Sequence, residues 1–169
     1  SDSATNQTLG GAEVLLVWDP LRLKLLGHVD TGPYVWVGSF FPNDSLGDGL
    51  NEPFTGPAPF VPDNDGDAIY SVFGQFAPNP PAEASPAGLL VTTFQFKALR
   101  PGDVELSVPS QYAATSQTRV VDGIEPGVLV TGSLPMAGTT VLCPPVQVQE
   151  GGPRWFAVTA PSCPAQVAL

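Results

Sequence analysis

Basic residues are scarce in this chain. Its 169 residues include six lysines and arginines against sixteen aspartates and glutamates, with one histidine and one methionine. The formal net charge is −10, so no basic patch can be assembled and nucleic acid is a poor partner. No apolar run approaches the roughly 20 residues a membrane helix needs, and membrane insertion is not expected. Stretches rich in alanine, glutamate and lysine, the material of surface helices, are missing. Gly-rich phosphate loops are missing too. His28 is the single candidate base for any Ser-His-Asp or Cys-His arrangement, and it lies in an apolar stretch with no motif around it. Nothing in the spacing of the carboxylates picks out a glycosidase pair. The expectation is a protein that is not an enzyme. No secretory leader is expected in this stretch, and Ser1 reads as the start of a processed or trimmed chain.

Glycine (18) and proline (20) are plentiful, yet 43% of the chain is hydrophobic, too apolar for a disordered linker. Prolines and glycines between short β-branched runs point to an all-β sandwich or barrel, and the length suits one domain spanning residues 1–169. An acidic surface keeps a secreted or cell-surface protein soluble and attracts cations or a basic partner. Cys143 and Cys163 are the only cysteines. In an extracellular setting they are expected to form a disulfide closing a loop of about 20 residues, worth roughly 3 kcal/mol by chain entropy.

Along the chain, GAEVLLVW (11–18) reads as a strand buried on both faces, stopped by Asp19-Pro20 because proline lacks a ladder N–H and restricts the residue before it. Leu21 to Val29 gives a turn and a second strand, and YVWVGSFF (34–41) a third. Residues 42–66 form a long Pro/Gly/Asp-rich loop, a length usually tied to function or insertion. DAIYSVFGQF (67–76) resumes strand character, and PNPPAEASPAG is a Pro-rich connector. LLVTTFQFKAL alternates, with Leu90, Thr92, Phe94, Phe96 and Ala98 on one face. A turn at Arg100–Asp103 leads to VELSV, with Val104, Leu106 and Val108 inward. Val128–Ser133 and Thr139–Cys143 are further strand candidates, and the tail VQVQEGGPRWFAV reads as strand, Gly-Gly turn and strand.

The order of these pieces resembles the cohesin family. GAEVLLVWDPLRLKLLG is similar to its aromatic-Asp-Pro signature, with Trp18 in the place of the usual tyrosine. AGLLVTTFQFKALRPGDVELSV and TRVVDGIEPGVLVTGS are similar to later family stretches, and the resemblance covers roughly residues 10–142. It implies a two-sheet β-sandwich of the jelly-roll type, related to carbohydrate-binding modules. It also implies a role in secreted or cell-surface scaffolds, cellulosomal ones among them, where one exposed sheet face binds a dockerin-type module. By order that sheet takes strands near 12–18, 34–40, 68–76 and 104–108. The partner-binding candidates on them are Glu13, Leu15, Tyr34, Trp36, Ser71, Phe73, Glu105 and Ser107. One departure stands out. The family has two strands before its aromatic-Asp-Pro strand, and here about ten residues precede it, while the tail (144–169) carries the missing pattern at Val146, Val148, Gly151, Gly152, Phe156 and Val158. That tail either completes the sheet of its own domain, completes that of a neighbouring molecule, or is unrelated to it.

Two site expectations stand apart from the family. PDNDGD places Asp63, Asp65 and Asp67 at alternate positions, a spacing of hard oxygen ligands that suits Ca²⁺, although it does not follow the EF-hand order. Tyr34 and Trp36 lie two apart, so as a flat exposed pair they would stack on sugar rings. That would make the chain a carbohydrate-binding module of a polysaccharide-degrading system. The competing expectation for both rings is core packing.

Overall fold

The computed structural model describes residues 7–30, 32–43, 47–51, 61–75, 78–100, 102–112, 116–124 and 139–143. Eleven strands occur among them and no helix: β1 Gln7–Trp18, β2 Leu23–Val29, β3 Gly38–Phe40, β4 Asp67–Phe73, β5 Ala82–Ala84, β6 Thr93–Ala98, β7 Gly102–Ser107, β8 Gln111–Tyr112, β9 Ser116–Gln117, β10 Arg119–Asp122 and β11 Thr139–Cys143. All their pairings are antiparallel. The larger sheet runs β11-β7-β1-β4-β3, with β5 and β10 also paired to β1, and β2-β6 forms a second sheet.

β1 organises the larger sheet because its apolar run is long enough for several partners. β4 pairs along Gly11–Val17, β10 along Leu9–Glu13 and β7 at Val17–Trp18. The ladder gap on the β10/β7 side is closed by a side chain: the Leu15 N–H donates to Thr118 Oγ1 at 3.1 Å, and that hydroxyl donates to the Pro109 carbonyl at 2.7 Å. Alternation then sets the core. Ala12, Val14, Leu16 and Trp18 of β1, Ala68, Tyr70 and Val72 of β4, and Val104 and Leu106 of β7 face Leu23, Leu25 and Phe94 of the second sheet in one buried cluster. Two layers around one apolar core fit a β-sandwich.

The Trp18-Asp19-Pro20 corner has a full set of partners. The Asp19 carboxylate accepts from Leu21 N–H at 2.9 Å, its carbonyl accepts from Arg22 and Leu23 N–H, and Arg22 Nε lies 3.3 Å from its Oδ2. Trp18 N–H donates to the Gly66 carbonyl at 2.8 Å, and its indole N–H donates to Asn64 at 3.2 Å. Asn64 in turn donates to the Pro20 carbonyl at 2.9 Å. Gly66 has a φ of +116°, and a Cβ there would sit 3.0 Å from both Pro20 Cδ and the Trp18 carbonyl oxygen, so only glycine suits the close approach.

Several strands are shorter than their sequence suggests. The run 34–41 is strand only at Gly38–Phe40, and β4 ends at Phe73 rather than at 76. There Gly74 N–H turns to the Gly10 carbonyl at 2.7 Å. The Pro-rich connector contributes β5, which extends β1's pairing through Leu9↔Ala82. Thr139–Cys143 is strand as expected, paired with β7. Val128–Ser133, the tail 144–169 and Cys163 lie outside the described residues, and so does the expected disulfide.

Candidate functional site

The outer face of the larger sheet is built from the residues that alternate with the core. Two cross-strand rows follow from the register: Phe40–Ser71–Glu13–Arg119 and Gly38–Phe73–Gly11–Val121, each running across β3, β4, β1 and β10. The apolar content gathers at the β3/β4 end. Phe40 is 45% exposed and meets Phe73 edge-on, with ring centroids 6.3 Å apart. Phe73 lies across Gly38, where a Cβ would come within 2.4 Å of its ring. On the β1/β10 side Arg119 Nε pairs with the Glu13 carboxylate, and this hydrogen bond holds the guanidinium above its ordinary pKa.

The same face is covered at its other end. Leu15 and Ile69 are neighbours across β1 and β4, and Leu50 from residues 47–51 packs on both in a separate buried cluster. Asn51 anchors that segment. Its Nδ2 donates to the Pro42 carbonyl at 2.7 Å and the Ile69 carbonyl at 2.8 Å, while its Oδ1 accepts from Ile69 N–H at 3.1 Å. The amide thus supplies the strand edge of β4 with the partners that β3 provides to Ser71 and Phe73. Asn51 adopts φ +60°, a conformation asparagine tolerates better than other residues with a Cβ.

Among the expected contact residues, Glu13, Ser71, Phe73, Glu105 and Ser107 alternate onto this outer face. Leu15 shares the face but is only 1% exposed beneath Leu50, which corrects its place as a contact residue. Tyr34 and Trp36 are corrected as well. They precede β3, pack against the main core from outside any strand, and meet each other edge to face at 66°. Trp36 donates its indole N–H to the Val91 carbonyl at 3.0 Å. The Tyr34 hydroxyl donates to the Pro80 carbonyl at 3.3 Å and accepts from Gln75 N–H at 2.8 Å. Rings so engaged do not form a flat sugar platform. Phe40, Arg119 and Val121 are not marked by any sequence motif; the outward placement of Phe40 follows only once Ser39 is seen to point inward, toward Asp30.

Asp63, Asp65 and Asp67 have three different settings. Asp63 and Asp65 are exposed, and Asp65 Oδ1 accepts from Asp67 N–H at 3.4 Å. Burial pushes the Asp67 carboxyl above its ordinary pKa; the neighbouring Asp65 and Asp48 carboxylates add to this, against a hydrogen bond from the Tyr112 hydroxyl to Oδ2 at 3.0 Å. Its other oxygen, Oδ1, is buried without a partner. Among the described residues, no three His, Cys, Asp or Glu side chains are placed to hold a metal ion.

A polar cluster that the sequence did not announce lies between the sheets. The Asp30 carboxylate accepts from Ser39 Oγ, from Thr92 Oγ1 at 2.7 Å and from the Tyr70 hydroxyl at 3.0 Å, and His28 Nδ1 lies 3.2 Å away. Burial alone would raise the Asp30 carboxyl, but the Ser39 and Thr92 hydrogen bonds, the His28 ring and Tyr70 together outweigh it and hold the pKa below the ordinary value. Burial and the Asp30 charge push the Tyr70 hydroxyl far up, so it stays a donor. Ser39 is bonded to the carboxylate and not to His28, so the group is no nucleophilic triad. Its chemistry is that of a staple tying β2, β3, β4 and the approach to β6. Comparison with protein family profiles, with characterised proteins and with solved structures found no match.

Proposed function

We propose that this chain is a non-catalytic protein-binding module of a secreted or cell-surface protein, with a cohesin-like jelly-roll architecture, and that it docks a dockerin-like partner on the outer face of its larger sheet. The observation that carries the reading is the Phe40–Phe73 pair. An exposed ring is held against a second ring seated over Gly38, next to the polar row Ser71–Glu13–Arg119. Apolar anchors beside a polar rim are the usual anatomy of a hot spot. The order β7-β1-β4-β3 in one sheet and β2-β6 in the other also agrees with the strand grouping that the sequence resemblance implies. Binding of polysaccharide is less favoured, because Tyr34 and Trp36 have their polar ends engaged and their rings edge to face.

The test is titration calorimetry of the full chain against a panel of dockerin modules. A binding partner is expected to lose at least tenfold in affinity with Phe40→Ala and with Phe73→Ala, the cost of removing a hot-spot ring. Affinity that survives both changes, or a panel in which nothing binds, sinks the proposal.

A further inference from the structure

Scarce as they are, the basic residues are not spread evenly. Four of the six, Arg22, Lys24, Lys97 and Arg100, lie on β2, on β6 or on the residues flanking them. β2 and β6 hold Lys24 and Lys97 and no acidic residue, whereas on the strands of the larger sheet acids outnumber the single Arg119. The register gathers the cations on one face. Lys24 and Lys97 are direct cross-strand partners and both are exposed, while their neighbours Leu23, Leu25 and Phe96 turn to the core. The ladder continues from Leu99 N–H to the Arg22 carbonyl at 2.7 Å, which sets Arg22 and Leu99 on the same outward face. Leu26, at the β-bulge, is 50% exposed and Leu99 is 43% exposed. Composition led to the expectation that no basic patch can be assembled; a small one does form, on the outer face of the second sheet.

We propose that this face binds an acidic protein segment that carries an apolar side chain beside its carboxylates. Two like charges directly opposed across a ladder, with Cβ atoms about 5 Å apart, destabilise the free sheet. Among the described residues neither lysine has an ion pair, and Arg22 has only the half-exposed Asp19, 3.3 Å from its Nε. A carboxylate set between the two ammonium groups removes the repulsion, so the complementary charge comes from a partner. Arg22 and Lys24 lie two apart, about 7 Å along the strand, which is the spacing of carboxylates on alternate residues of an extended segment. The leucines decide the class of partner. Leu26 and Leu99 flank the lysines and give an apolar side chain a place to bury, and a polysaccharide has none to offer. The rings that would stack on a sugar, Phe94 and Phe96, are packed into the core instead. An anionic bilayer is repelled by the net charge of −10. This surface is on the other sheet from Phe40 and Phe73, and the inference stands independently of the reading given to that pair.

The probe is a capped peptide, Glu-Ser-Glu-Ser-Leu-Ser-Glu, titrated at low salt into the isotope-labelled full chain and followed by NMR. Amide shifts are expected at Arg22–Leu26 and Gln95–Leu99 and not at Phe40 or Phe73. Replacing the peptide's glutamates by glutamines is expected to abolish the shifts, and replacing its leucine by serine to weaken binding severalfold. In the protein, Lys24→Glu is expected to weaken the peptide at least roughly fivefold and at the same time to raise the Tm of the free chain by roughly 2 °C, because the opposed pair becomes attractive. Lys97→Glu is expected to do the same. Damage to the fold would lower both quantities, so the opposite signs separate loss of the site from loss of stability. Unchanged spectra, shifts elsewhere, a lower Tm in both variants, or undiminished binding in either one overturns the proposal. Polygalacturonate or phosphatidylglycerol vesicles that shift the same amides at lower concentration than the peptide overturn it in favour of a polysaccharide or a membrane.

Discussion

Replacing Asn51 by alanine is expected to cost more stability than almost any other single change outside the main core. The side chain is fully buried and makes three hydrogen bonds, to Ile69 N–H, to the Ile69 carbonyl and to the Pro42 carbonyl. Alanine leaves all three backbone groups without that partner. A buried unmet polar group costs about 1–3 kcal/mol, with carbonyls at the lower end, so the three together come to about 4 kcal/mol. The backbone adds to this: at φ +60° alanine is strained by about 1 kcal/mol where asparagine is tolerated. The sum is about 5 kcal/mol, against about 5–15 kcal/mol for a typical domain. Asn51→Gly removes the strain but not the orphaned groups, and should fall about 1 kcal/mol short of the alanine variant. Asn51→Asp keeps an acceptor for Ile69 N–H but turns a carboxylate toward two carbonyls, so it should be at least as damaging as alanine at neutral pH. Urea unfolding measures all three from the midpoint shift at constant m. If alanine and aspartate both lie within about 0.5 kcal/mol of the parent, like ordinary surface changes, the role assigned to Asn51 is wrong.

Two carboxylates predict opposite pH behaviour. Because the folded Asp67 carboxyl is raised above its unfolded value, the favourable contribution is present when the group is protonated and is lost as pH rises through the folded pKa. Asp67→Asn should therefore raise Tm at pH 7 and lose its advantage below about pH 4, and a lower Tm at pH 7 would show that the charge has a favourable partner. Asp30 is lowered, so its contribution is present above the ordinary carboxylate pKa and fades as pH falls through the folded value. Asp30→Asn should be destabilised at pH 7, with the gap narrowing below about pH 4; a gap independent of pH would mean that packing, not charge, makes the difference.

Strand content was legible where one face is uniformly apolar. β6 and β7 alternate in sequence as they do in space, β1 reads as a strand from its continuous apolar run, and the stop at Asp19-Pro20 follows from proline's missing donor. The alternation misled at 34–37, where Tyr34 and Trp36 read as strand aromatics. Their hydroxyl and indole groups instead bond backbone at Gln75, Pro80 and Val91, and the chain joins the ladder only at Gly38. The Asp30 cluster was illegible for a different reason. Its donors lie nine, 40 and 62 residues from Asp30, and each is an ordinary Ser, Tyr or Thr of a strand pattern until the two sheets are stacked.

The fate of Leu15 and Glu13 shows why strand periodicity cannot delimit a binding face. The two residues are separated by one position and point to the same side of β1. Leu15 is buried under Leu50, whereas Glu13 is partly open and ion-paired to Arg119. Periodicity in β1 does not distinguish them, although the aliphatic Leu15 suits burial and the Glu13 carboxylate does not. The difference comes from residues 47–51, and those are held where they are by an amide that stands in for the missing length of β3. If β3 reached Ile69, its backbone would take both of Asn51's strand contacts and the segment would have no anchor there. The short third strand and the partial cover of the outer face therefore share one cause, and the extent of the surface around Phe40 and Phe73 is set by where β3 stops.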